Sequence, residues 1–100
     1  MIFCLSILAY AQTPQDRATE LKKQAQSSLN QKDYIKARYL FKKAYEAFAT
    51  RGNYPQAIEC GVQANALYVR ENFYKEGFEL CRDMDQLIWT GEQNQKKVFY

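Results

Sequence analysis

The 100-residue sequence predicts an all-α fold built of antiparallel helix hairpins, and three observations predict it. Apolar residues recur in steps of three and four, most clearly at Ala37, Leu40, Phe41, Ala44, Tyr45 and Phe48, which places one stripe on a helix face turned to a core. Helix stop and start signals follow one another along the chain, and no segment alternates apolar with polar residues as a half-buried strand would. Tyr34, Tyr54 and Tyr74 stand 20 residues apart, so a hairpin of two helices repeats every 40. Each opens a similar run: Asp33-Tyr34-Ile35-Lys36-Ala37, Asn53-Tyr54-Pro55-Gln56-Ala57 and Phe73-Tyr74-Lys75-Glu76-Gly77. A fixed period in this range is the signature of a stacked repeat.

The first eleven residues, Met1 to Ala11, are apolar and uncharged and end in Ala9-Tyr10-Ala11. Small residues two apart are what signal peptidase accepts, so residues 1–11 are expected to be a signal peptide and Gln12 the first mature residue. The run is too short to span a bilayer, which takes about 20 residues. No Lys or Arg precedes Ile2, so either the true start lies upstream or the segment is a buried helix; export is the reading adopted.

Residues 12–100 are expected to be one helical domain. Thr13-Pro14-Gln15-Asp16 starts a helix over 13–31: Thr13 caps, Pro14 suits the first turn and Asp16 reaches back. Its apolar set is Ala18, Leu21, Ala25 and Leu29. Asp33 caps a second helix over 33–51, which Gly52 ends in a left-handed stop. Asn53 caps a third helix over 54–71, with Pro55 in its first turn and Ile58, Gly61, Val62, Asn65 and Tyr68 along one face. The fourth, over 73–89, carries Gly77, Leu80, Cys81, Met84 and Ile88, and Thr90-Gly91 is expected to close it. Residues 92–100 read as the opening of a fifth helix. Two hairpins without a cap are marginal, so the natural protein is expected to continue past Tyr100.

Composition excludes several functions. There is no His, the commonest general base and zinc ligand. The four glycines, at 52, 61, 77 and 91, are too scattered to form a phosphate loop. Asp83 and Asp85, two apart on a helix, point apart and cannot share a proton. The net charge of +3 comes from 14 basic and 11 acidic residues with no dense basic run, so nucleic acid is not an expected partner of this region. Cys60 and Cys81 are expected to be small, unpaired side chains on facing helices, because their spacing is neither a metal motif nor level across an antiparallel hairpin. No enzyme activity, metal or cofactor is expected.

The run of small and aromatic residues resembles the tetratricopeptide (TPR) family, in a longer form of about 40 residues per hairpin. Ala37 and Phe41 match the small residue and the aromatic four later on the second helix of a TPR hairpin; Gly77 and Cys81 match loosely. Tyr68 matches the closing aromatic of the first helix, and Ala25 the small residue before it in the first hairpin, where the second has Asn65. Leu21, Gln24, Gly61 and Ala64 stand where Trp and Leu are usual, and Ala49 and Trp89 where Pro is usual. The resemblance covers residues 13–90. It implies a right-handed solenoid whose first helices line a concave groove that binds a protein or peptide. The groove residues would be Thr19, Lys22, Lys23, Gln26 and Asn30, then Glu59, Val62, Gln63, Ala66 and Arg70. Lys22 matches the cation of TPR carboxylate clamps, while Gln26 and Gln63 replace the expected Asn, so a carboxylate clamp is not expected. By family analogy the chain is read as the exported N-terminal sensing region of a larger bacterial envelope signalling protein. The alternatives are a periplasmic or outer-membrane assembly or uptake scaffold, and an accessory domain of an enzyme lying beyond residue 100. Any membrane contact would come through a downstream segment.

Overall fold

The computed structural model describes residues 14–99, with side chains described for 17–91. The expected signal peptide, the Thr13 cap and the Asp16 contact lie outside those limits. Among the described residues four helices follow one another: α1 (Pro14–Asn30), α2 (Tyr34–Thr50), α3 (Tyr54–Arg70) and α4 (Tyr74–Phe99). Among the described residues there is no strand. Each helix packs on the next in chain order.

The 20-residue period is a backbone period. Lys32, Gly52 and Asn72 adopt φ of 63°, 75° and 67° at equivalent places in the three turns. Each turn closes with the same two bonds. Lys32 N donates to Leu29 O and Asp33 N to Ser28 O; Gly52 N to Ala49 O and Asn53 N to Phe48 O; Asn72 N to Val69 O and Phe73 N to Tyr68 O. This is the Schellman arrangement, which satisfies carbonyls the helix end would otherwise orphan. Gly52 was legible as such a stop. Lys32 and Asn72 were not, because neither lacks a Cβ.

Asp33 caps α2 as expected, accepting from Lys36 N at 3.3 Å. Asn53 stands at the N-cap of α3 but its side chain makes no capping bond. Pro55, the second helical residue, has no N–H to offer, which leaves Gln56 N, the counterpart of the Lys36 N that Asp33 uses, as the capping donor within reach.

The core is largely that expected. Ala37, Leu40, Phe41, Ala44, Tyr45 and Phe48 of α2 are all buried. Ala18 and Ala25 of α1 are buried, with Leu21 and Leu29 packed at the margin. Two expectations need correction. On α3 the buried set is Ala57, Cys60, Gly61, Ala64 and Leu67, while Val62 is 53% exposed. The buried stripe is thus turned by about one residue from the Ile58–Val62–Asn65 line. α3 presses between α2 and α4, and small side chains rather than large ones permit that approach. A Cβ on Gly61 would lie 2.6 Å from Met84 Sδ and 3.0 Å from Tyr45 Cδ2. On α4, Ile88 is exposed and Leu87 takes the inward position instead.

The fifth helix is also corrected. Thr90-Gly91 does not close α4, which runs unbroken for 26 residues to Phe99. Gly91 has no positive φ; its Cα faces the Tyr54 ring, where an added Cβ would lie 3.1 Å from Cδ2. Its smallness serves a close approach, and Gly inside a helix costs only about 1 kcal/mol. Thr90 Oγ1 donates back to Gln86 O at 2.9 Å, a bond compatible with continuing helix.

Candidate functional site: the surface shared by α1 and α3

The side chain of Lys22 links the non-consecutive helices α1 and α3. Lys22 Nζ donates to Gln56 Oε1 at 2.7 Å and lies 3.1 Å from Glu59 Oε1. Lys22 is only 18% exposed at its side chain, against 55% for Glu59. Lys22 is therefore a strut between helices, its charge answered by Glu59, and not a free cation in a groove.

The rest of the sequence-derived set lies at the surface. Thr19, Lys23, Gln26 and Asn30 on α1 are exposed, as are Glu59, Val62, Gln63, Ala66 and Arg70 on α3. Arg70 turns toward the start of α2, its guanidinium 4.0 Å above the Tyr34 ring. What α1 and α3 present is a mostly polar strip, with Lys23, Gln26 and Gln63 among its exposed hydrogen-bonding groups and Val62 and Ala66 its apolar members.

Beneath the strut lies Cys60, fully buried. Burial pushes its thiol up to about 11; the Lys22 ammonium acts against this and the Glu59 carboxylate with it. A thiol so held is protonated at neutral pH and a poor nucleophile. Cys81 is half-buried and accepts from Asn65 Nδ2 at 3.2 Å. Both cysteines are free, as their offset along the hairpin implied.

One cluster was missed in the sequence. Arg38 of α2 lies 5.2 Å from the Tyr68 ring centroid and 4.8 Å from that of Phe73, and its Nη1 pairs with Glu71 Oε2 at 2.8 Å. This clamp ties α2 to the α3–α4 turn. Its partners are 30 to 35 residues from Arg38, and no local pattern announces them.

Among the described residues no group of three or more His, Cys, Asp or Glu could hold a metal ion, and no helix is long and apolar enough to cross a membrane. Comparison with protein-family models, curated proteins and solved structures finds no match to this chain.

Proposed function

We propose that the chain is a TPR-like helical-hairpin repeat that binds a protein or peptide segment along the α1–α3 surface and performs no chemistry of its own. The observation that supports this most is the lateral pairing of α1 and α3 through Lys22, Gln56 and Glu59. It brings the first helices of the two hairpins within side-chain reach of each other, and a TPR array presents such a surface to its ligand. Lys23, Gln26 and Gln63 would supply the polar contacts, with Val62 and Ala66 the apolar ones. The Ala9-Tyr10-Ala11 pattern supports export, and with it a sensing or interaction role at the N-terminal side of an envelope signalling protein.

Selection of a displayed random-peptide library on the whole chain tests the surface. Enriched peptides should lose about tenfold in affinity, or roughly 1.4 kcal/mol, against Lys23→Glu and Gln63→Glu. Peptides that bind both variants as well as the parent place the binding surface elsewhere. Failure to enrich any peptide counts against a binding module.

A further inference from the structure

We propose that the exposed seam of α4 formed by Phe78, Arg82, Asp85 and Trp89 is an interface for a second copy of this chain, docked antiparallel about a two-fold axis. Phe78 is 67% and Trp89 61% exposed, and Arg82 and Asp85 are exposed between them. Their spacing of four, three and four residues puts them in one line along the helix. That line lies away from Gly77, Leu80 and Met84, which α4 turns to the core. Tyr74, one turn before Phe78 and 61% exposed, extends it.

The order of residues along the seam favours a second copy over any other occupant. A two-fold interface is self-complementary: residue i meets residue j of the partner, and j meets i. Laid antiparallel with Phe78 opposite Trp89 of the second copy, the seam brings Arg82 opposite Asp85 of that copy. The axis passes between positions 83 and 84 and repeats both pairs. Aromatics meet aromatics at the two ends, and opposite charges meet twice in the middle. The parallel arrangement would set Arg82 against Arg82 and Asp85 against Asp85. The seam spans about 16 Å, at 1.5 Å per residue, so three turns of helix from each copy take part. Arg82 is the one cation in the shallow groove it lines with Glu79, Asp83, Asp85 and Gln86. Register should therefore depend on it strongly, since like charges brought together at an interface are costly.

Sedimentation equilibrium of the whole chain tests the proposal. The parent should be detectably dimeric at roughly 100 μM, as a micromolar dissociation constant requires. R82E sets two carboxylates against each other at both crossings, and D85R sets two guanidiniums. Each alone should weaken self-association about tenfold or more. A mixture of R82E with D85R should re-form a dimer, because the mixed pair restores opposite charges at both crossings. The doubly reversed R82E/D85R chain should self-associate like the parent. All four positions are exposed, so helicity by circular dichroism should not change. A monomeric parent overturns the proposal. So does a dimer indifferent to both single reversals, or one that neither the mixture nor the double reversal restores.

Discussion

Lys32 is the least comfortable residue in the turns. It holds φ of 63° at a place where its counterpart 20 residues later is glycine, Gly52 at 75°. A side chain in the left-handed region costs roughly 1–2 kcal/mol, part of which glycine would return to the entropy of the unfolded chain. Lys32→Gly is expected to raise stability by about 0.5–1 kcal/mol, read as a higher melting temperature; an unchanged or lower one would show that the turn is not strained. Cys60 supplies a second test. Its pKa is raised from 9.0 to about 11. Below pH 9 the thiol is protonated in both states and its contribution is fully present. From there to about pH 11 the unfolded chain releases the proton while the folded chain keeps it, so stability falls as pH rises. Tyr45, also raised by burial and by Asp83 and Glu46, acts in the same direction at higher pH. Cys60→Ala should flatten the decline between pH 9 and 11 by up to about 2–3 kcal/mol, measured by urea unfolding at each pH. An identical slope in both proteins would mean the thiol is not shielded.

At the scale of the element, α2 packs on both α1 and α3 and buries six residues, Ala37, Leu40, Phe41, Ala44, Tyr45 and Phe48. Phe41 is 1% exposed, so Phe41→Ala should cost about 3–5 kcal/mol. Lys43, exposed on the same helix with its ammonium over the Tyr39 ring, should tolerate alanine within about 0.5 kcal/mol. Comparable melting shifts for the two would show that the stripe is misassigned. The Arg38 clamp ties α2 to the α3–α4 turn. Removing Arg38 leaves Glu71 without its ion pair, and Glu71 Oε1 is already buried without a hydrogen bond. Arg38→Ala is expected to destabilise by about 1–3 kcal/mol, with amide exchange fastest around residues 71–73. Uniform protection across that turn would contradict the clamp.

The molecule as a whole is thin, 17 Å across its narrowest dimension, as two layers of helix require. Its long faces are therefore all near the surface, and each must be polar, covered or used. The α1–α3 strip is polar and is where we place the ligand; the α4 seam is half aromatic and is where we place the second copy. Export belongs to this scale too. Expression of the gene in a secreting host should yield a mature N-terminus at Gln12, read by N-terminal sequencing. An intact Met1 on soluble cytoplasmic protein would remove the export reading.

The ends of α1, α2 and α3 were readable because they are local events. Asp33, Gly52 and Pro55 act on hydrogen bonds within a few residues of themselves, and the sequence by itself determined three turns, the all-α class and the buried stripe of α2. Thr90-Gly91 misled because a glycine is both a stop signal and a point of close approach, and only the Tyr54 ring, packed on Gly91 from α3, decides between them. The face that α3 buries was likewise a tertiary decision. Ile58 and Val62 are the larger apolar groups, yet Ala57, Cys60 and Ala64 are the ones that let two neighbours come close. Of the candidate site, the exposed positions on α1 and α3 followed from helical periodicity. The commitment of Lys22 to Gln56 and Glu59 did not, because a side chain's partner 34 or 37 residues away depends on how separate helices are laid together.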